Sequence, residues 1–470
     1  MRKTKIVCTI GPASSSNEML EKLIKSGMNV ARLNFSHGNF EEHLEKIERI
    51  RKISRKLRKT VAVMQDLPGP KIRTGVLAES CVVLRPGQKF TFTTRDVVGD
   101  DTQVTLRYPG LVKQMKRNQL IYLDDAKLEF KVVEVTDTDV VTRVVIGGEL
   151  GSNKGFAAPG ISHDAPGVTE KDKSDLRFGL EHGVDWVASS FVCSAADIKP
   201  LRAVMDEVGS HVPVIAKIER REAVRNIAEI VEAYDGVMVA RGDMGIELPI
   251  EEVPVIQKMI IKRCNRAGKP VITATQMLDS MMNNPRPTRA EVTDVANAII
   301  DGTDATMLSG ETAVGDFPLQ SFKMMDRVAR RTEKSLDYKR ILAGRLEYPT
   351  NDVTEAIGEA ATSLAADLGV PAIITCTHSG TTARLVSKYR PAAQIIAAAS
   401  SEETVRQLAL SWGVDPIYVP VAQDSDALIS SALRAAREHK MVRKGSQVVI
   451  IAGVPVGVPG NTSLIRVVKV

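Results

Sequence analysis

Four times along this chain a helix-period apolar stripe runs into a glycine and then, within a few residues, into an apolar run that stops at polar residues. Leu20, Leu23 and Ile24 lead to Gly27 and then Val30 to Asn34, and Leu176 and Leu180 lead to Gly183 and then Trp186 to Ser189. Ile256, Ile260 and Cys264 lead to Gly268 and then Val271 to Ala274, and Val292, Val295, Ala296 and Ile299 lead to Gly302 and then Ala305 to Leu308. A glycine just past the last apolar position is a helix stop, and Thr169 with Asp172 and Thr288 with Glu291 have the spacing of capping boxes at helix starts. Alternating helices and strands restrict the fold to parallel sheets with helical crossovers.

Candidate strands end near residues 10, 34, 66, 189, 217, 241, 274 and 308. A strand and its crossover helix need roughly 25 to 40 residues, so the step from 66 to 189 must hold an inserted piece of about 90 residues. Within that piece CVVL, KFTFTT, TQVTL, QLIYL, EFKVVEV and DVVTRVVI are short β-rich runs between glycine-containing turns, as in a small all-β barrel or sandwich. Eight strands with one β insert after the third predict a TIM (β/α)8 barrel carrying a lid, with a doubly wound sheet as the structural alternative. Helical sequence runs to about Tyr338, and EYPTND reads as a linker. Strands expected at Ala372 to Cys376, Gln394 to Ala398, Pro416 to Val419, Val448 to Ile451 and Leu464 to Val470 then form a C-terminal α/β domain. The expected division is 1–69 with 168–342 for the barrel, 70–167 for the lid and 346–470 for the C-terminal domain.

At 470 residues with 43% hydrophobic content the chain can bury large cores. Aromatics are only 4%, leaving little material for stacking on nucleic acid, and a formal net charge of +6 is too small in so long a chain to argue nucleic acid or membrane. The 5 cysteines, at 8, 81, 193, 264 and 376, form no CxxC pair, so neither a disulfide framework nor a zinc site is expected. With no apolar run of signal-peptide or membrane-span length, the expected location is the cytoplasm.

In a TIM barrel the residues just past the strand ends face the active site. Those polar residues are Arg32, Asn34, Ser36 and His37 after the second strand, Asp66 after the third, and Lys217 and Glu219 around the end of the fifth. Arg241, Gly242 and Asp243 follow the sixth, Thr275 the seventh, and Ser309 and Glu311 the eighth. Lys217 and Glu219, two apart on a strand, share a face. Glu219 and Asp243, with no His or Cys nearby, are hard oxygen ligands that suit Mg²⁺ or Mn²⁺ with positions left for substrate oxygens. The residues alone equally allow Lys217 and Glu219 to pair structurally with neighbours. Gly242 lets backbone approach an anion, and Thr275 adds a hydroxyl, together a carboxylate clamp beside a metal. DLPGPKIRTG, Asp66 to Gly75, reads as a stiff hinge into the insert, whose Lys71 and Arg73 suit phosphates. No Walker A sequence is present, since Gly268 and Lys269 are followed by Pro270.

RLNFSHG (Arg32 to Gly38), GPKIRTG, the NKG of Asn153 to Gly155, IAKIERRE, MVARGDMGIELP and the long block from Val271 to Ala313 closely resemble the pyruvate kinase family. The resemblance covers all three predicted domains in order. It implies transfer of the phosphoryl group of phosphoenolpyruvate to ADP, giving pyruvate and ATP, the last step of glycolysis. By resemblance, Arg32 holds the phosphoryl group, Arg73 and Lys154 reach nucleotide phosphates, and the turn Asn34, Ser36, His37 borders the nucleotide. Glu219 and Asp243 ligate Mg²⁺, Gly242, Asp243 and Thr275 hold the substrate carboxylate, and Lys217 stabilises the phosphoryl group in flight. Thr275, Ser309 and Glu311 are candidates to organise protonation of the enolate. Phosphoryl transfer asks for positioning and charge neutralisation, which this list can supply.

Potassium-dependent members resemble the chain at Asn34, Ser36 and Asp66 but carry Thr and Glu where Leu67 and Lys71 stand. Loss of a hydroxyl and gain of an ammonium imply activity without added K⁺. LDDAKLE in the lid has Ala126 and Lys127 where the family usually continues Asp-Asp-Gly. THSGTTA, comprising Thr377, His378, Ser379, Gly380, Thr381, Thr382 and Ala383, opens a helix and resembles the family's effector phosphate site, implying a sugar-phosphate activator beneath the loop Gly453 to Asn461. The resemblance also implies a homotetramer. A Mg²⁺-dependent lyase or aldolase acting on pyruvate enolate could use the same two carboxylates but leaves Arg73, Lys154 and the lid without a role. A basic RNA-binding scaffold would need a clustered basic face with stacking aromatics.

Overall fold

The structure, a computed structural model, describes residues 2–470 except 107, 125, 161–166, 347–349 and 455–461. Eight parallel strands close into a barrel: β1 (Lys5–Thr9), β2 (Val30–Asn34), β3 (Ala62–Asp66), β4 (Trp186–Ser189), β5 (Val214–Ile218), β6 (Gly236–Ala240), β7 (Val271–Ala274) and β8 (Ala305–Leu308), each beside its neighbours in sequence and β8 pairing with β1. Every strand ends within one residue of the position expected from the apolar pattern. Alternation along each strand splits the packing between two cores. Val7, Val30, Met64, Trp186, Ile215, Met238 and Met307 belong to the interior core, while Ile6, Cys8, Ala31 and Leu33 pack in the layer that includes the surrounding helices. The capping boxes at Thr169 and Thr288 form, with Asp172 and Glu291 closing the reciprocal bonds.

The insert holds a six-stranded sheet and a two-stranded ribbon around its own core, in which Phe92 packs edge-to-face on Phe90, Phe130 and Phe156. The strands Gly148–Gly151 and Phe156–Ala157 and the turn of helix at Pro109–Val112 were not expected. All three are short, with too few residues to show a period, and two of them carry glycine or proline.

The helical region does not stop at Tyr338. Pro318–Glu333 is followed by a break and a further helix, Tyr338–Leu346, whose apolar residues are too few to stand out as a stripe. Residues 347–349 of the expected linker and 455–461 of the expected effector loop lie outside the described residues. The C-terminal α/β domain has five strands in the order Val414–Tyr418, Gln394–Ala399, Ala372–Thr377, Gln447–Gly453 and Thr462–Lys469, the last antiparallel to its neighbour.

This domain closes the barrel floor, the end at which the strands begin. Ala409 and Leu410 join the interior core, and the Trp186 indole donates 3.1 Å to the Gln407 carbonyl. Lys5, at the start of β1, donates 2.6 Å to the Val414 carbonyl. Arg390 pairs with Asp304 at 2.9 Å and donates to Asn265 Oδ1 at 2.6 Å and the Gly302 carbonyl at 2.8 Å, its guanidinium stacked over Trp412. Arg390 is 4% exposed, so this contact is shielded from water and breaking it strands Asp304. Arg390→Met is expected to destabilise the chain by about 3 to 5 kcal/mol in urea unfolding. An unchanged midpoint would show that the floor does not depend on this contact.

Candidate active site

Four alternating charges lie under the barrel mouth. Arg32, the middle residue of β2 and not past its end as the apolar pattern predicts, donates from Nε to Asp66 at 2.5 Å and from Nη1 to Thr9 Oγ1 at 2.8 Å. Asp66, last residue of β3, also receives Lys217 Nζ at 3.2 Å, and Lys217 pairs in turn with Glu219 at 3.0 Å. Asp66 and Glu219 are each 1% exposed. Burial alone would neutralise such groups, and the partners decide which stay charged. Asp66 is held below the usual carboxylate range because Arg32 and Lys217 outweigh its burial. Lys217 is raised above an ordinary lysine, Asp66 and Glu219 outweighing the opposing burial. Glu219 is pushed up to about 7, first by burial and further by Asp243, while Lys217 opposes the shift.

The remaining positions are set by backbone geometry. Leu67 N–H donates to the Ala188 carbonyl, carrying the β3–β4 pairing one residue beyond Asp66. Ser190, just past β4, accepts the Lys217 ammonium at 2.6 Å and donates to the Leu67 carbonyl at 2.7 Å. Phe191 has φ 54°, and its N–H donates 2.7 Å to Glu219 Oε2. Thr275, φ 66°, accepts the Gly242 N–H at 2.8 Å and donates to the Ala274 carbonyl at 2.6 Å. That turn is clamped by Arg241, which grips both Asp294 oxygens at 2.8 and 2.7 Å and the Thr275 carbonyl at 2.7 Å. Glu311 is buried with its oxygens on the N–H groups of Leu278 at 3.0 Å and Ser309 at 2.7 Å. Ser309 Oγ is buried without a hydrogen-bond partner, and among the described residues no hydrogen bond links Thr275 to Ser309 or Glu311.

At the rim Lys71 stands 3.9 Å from Asp243. Burial first, then Arg73, Lys71 and Arg32, lower the pKa of His37, so three cations share its surroundings. Asn34 Oδ1 accepts the Ser36 N–H at 3.1 Å, and Lys71 is hydrogen-bonded to neither. From the insert, Lys154 pairs with Asp124 at 2.9 Å, and Arg73 donates to the Asn153 carbonyl at 3.1 Å. A cleft between insert and mouth is lined by Lys71, Tyr122, Gly155, Phe191, Arg220 and Asp243. In the C-terminal domain Gly380, φ 82°, donates to Thr377 Oγ1 at 2.9 Å, Ser379 and Thr381 hydroxyls are 3.0 Å apart, and His378 Nδ1 is 3.0 Å from Ser400 Oγ. Thr382 shares a hydrogen bond of 2.9 Å with Thr462.

Among the described residues no group of three or more His, Cys, Asp or Glu could hold a metal. Glu219 and Asp243 together nonetheless fit a hard divalent cation. A buried carboxylate carrying one Lys and one N–H, driven toward neutrality first by its burial and further by the neighbouring Asp243, is a site that a cation would relieve, and Mg²⁺ characteristically takes one or two carboxylates plus substrate oxygens.

Thr9, Ser190, the Phe191 N–H and Asp124 were missed in the sequence. Thr9 ends β1 and Ser190 follows β4, so the strand-end rule applied to those two strands also points to them. Asp124 is fixed by its pairing with Lys154, which only the folded insert reveals.

Comparison with known proteins identifies the family. A family model described as the pyruvate kinase barrel domain matches residues 1–322, and one described as the pyruvate kinase alpha/beta domain matches residues 355–468. The pyruvate kinases of Sporosarcina psychrophila and Geobacillus stearothermophilus are each 48% identical to the chain, over 473 and 469 residues. That of Staphylococcus aureus (strain USA300) is 46% identical over 469 residues, and each match covers 99% of this chain and 80% of the relative. The chain therefore belongs to the pyruvate kinase family, phosphotransferases that work between phosphoenolpyruvate and ADP.

Proposed function

We propose that the buried series Arg32, Asp66, Lys217 and Glu219 is the phosphoryl-transfer apparatus of this enzyme. The observation that carries this reading is Lys217, a fully charged ammonium fixed by Asp66, Glu219 and Ser190 at the mouth of the barrel. In the reaction the bond between phosphorus and the enol oxygen of phosphoenolpyruvate breaks, and a β-phosphate oxygen of ADP bonds to phosphorus. Lys217 and Arg32 offset the charge on the phosphoryl oxygens between those two partners, in positions already set before substrate binds. Mg²⁺ or Mn²⁺, held by Glu219 and Asp243, would neutralise substrate carboxylate and phosphate oxygens. Gly242 and Asp243 N–H groups and the Thr275 hydroxyl bind the substrate carboxylate, the Gly242 N–H exchanging its bond to Thr275 for one to substrate. Arg73 and Lys154 take the nucleotide phosphates, with Lys154 leaving Asp124, and Asn34, Ser36 and His37 border the nucleotide. The enolate accepts a proton at carbon from a path organised by Thr275, Ser309 and Glu311, for which the unsatisfied Ser309 hydroxyl is available.

The division into barrel (1–69, 168–342), lid (70–167) and C-terminal domain (346–470) gives the lid two connections at the mouth. Leu67 is buried and apolar where a hydroxyl would ligate K⁺, and Lys71, whose charge acts on the neighbouring His37, would supply a positive charge in the cation's place. The enzyme works without K⁺. Residues Thr377 to Thr382 bind the phosphate of a sugar-phosphate activator, and the assembly is a cytoplasmic homotetramer. No helix among the described residues is long and apolar enough to cross a membrane.

Lys217→Met is expected to lower turnover at least 1000-fold, about 4 kcal/mol, in a coupled pyruvate assay with the circular dichroism spectrum unchanged. Retained turnover removes Lys217 from its role. Replacing tetramethylammonium with K⁺ should change activity less than twofold in the natural chain, whereas Lys71→Glu with Leu67→Thr should become K⁺-dependent. Strong K⁺ activation of the natural chain overturns potassium independence. Thr381→Glu should abolish activation by sugar phosphates while leaving basal turnover intact, and unchanged activation would place the effector elsewhere.

A further inference from the structure

Between the antiparallel lid strands Leu120–Leu123 and Leu128–Val135 lies a tight turn carrying Asp124, Ala126 and Lys127. Asp124 has φ 50° and Ala126 φ 64°, left-handed backbone that Asp tolerates and Ala adopts only at a cost. Backbone bonds hold it there. The Asp124 N–H donates 3.1 Å to the Gly155 carbonyl, and the Lys127 N–H donates 3.3 Å to the Asp124 carbonyl. Ala126 and Gly155 line the cleft between lid and mouth, so the turn borders the same cleft as Asp243.

This backbone gives one carboxylate two cations. Asp124 Oδ1 accepts Lys154 Nζ at 2.9 Å, and Oδ2 accepts Lys127 Nζ at 3.0 Å. Burial would raise the Asp124 carboxyl, but the bonds from Lys154 and then Lys127 outweigh it and hold the group below the usual carboxylate range. Two like charges on one carboxylate repel, so each weakens the hold on the other. The cations differ in what else they can reach. Lys154 is the one expected to leave for a nucleotide phosphate, while Lys127 is tied to Asp124 by a spacing of three residues within the turn. Were Lys154 the only partner, its departure would leave a charged carboxylate, 18% exposed, without a counter-ion, and that cost would draw the ammonium back.

We propose that Lys127 is a positioning residue for nucleotide binding: it stays on Asp124 as the counter-ion and thereby releases Lys154 to the phosphates of ADP. This rests on Lys154 taking the nucleotide phosphates. Lys127 acts through Asp124 and does not itself touch the nucleotide. Steady-state kinetics of the full-length enzyme separate these roles. Lys127→Met should raise the KM for ADP about threefold to fivefold, the scale of one partly exposed ion pair, and Lys127→Arg should restore it. The kcat and the KM for phosphoenolpyruvate should change less than about twofold. In an Asp124→Asn background the same Lys127→Met change should leave the KM for ADP unaltered, because no carboxylate remains to be shared. An equal rise in both backgrounds would put Lys127 directly on the nucleotide and overturn the proposal, as would an unchanged KM for ADP in Lys127→Met alone. Lys154→Met tests the underlying reading by itself. A KM for ADP unaltered by that substitution removes Lys154 from the nucleotide, whereas a large rise there with no effect of Lys127→Met rejects only the role of Lys127.

Discussion

The pairing of β3 with β4 governs the rest of the molecule. Met64, Gln65 and Asp66 lie in parallel register with Trp186, Val187 and Ala188, although the whole β insert separates them in sequence. Without that contact the sheet has two open edges, and neither Asp66 nor Ser190 reaches Lys217. Bringing such distant segments together carries a loop-closure cost that grows only slowly with length. The insert lightens it further, because it has a core of its own and is an ordered piece and not a slack connection. Ser190, bonded to both the Leu67 carbonyl and the Lys217 ammonium, transmits this closure directly to the reacting centre.

The buried charges at the mouth are poor candidates for stabilising the fold, since desolvation offsets most of what such pairs gain. Their value is in orientation. Each carboxylate fixes a cation whose flexible side chain would otherwise sample many rotamers, so Arg32 and Lys217 are already aimed when a substrate arrives. Farther out the interactions are longer and more exposed, as at Lys71 and Asp243, or lie within the lid, as at Lys154 and Asp124. The gradient from fixed interior charges to exchangeable rim charges separates what must be rigid from what must open and close.

Much of this was legible before any coordinates. The barrel strands could be read because each helix stripe, glycine stop and apolar run repeats one local grammar, and the strand-end rule placed Lys217, Glu219 and Asp243 on one list. Short elements escaped: Gly148–Gly151 and Phe156–Ala157 are too brief to show a period, and Tyr338–Leu346 has no pronounced apolar stripe. The positive φ of Phe191 and Thr275 also left no trace, since neither residue type announces a left-handed turn; both are imposed by the tertiary bonds they complete.

The sealed floor gives the chain a particular history during synthesis. Lys5 is made long before its partners, yet its buried ammonium meets the Val414 carbonyl, and Ala409 and Leu410 fill the base of the interior core. At translation rates of about 5 to 20 residues per second, the first strand waits roughly 20 to 80 s for these partners. Throughout that interval the nascent barrel presents an apolar opening and an unmatched lysine, so the time before residues 409 to 414 emerge is when the polypeptide most needs protection from association with its neighbours.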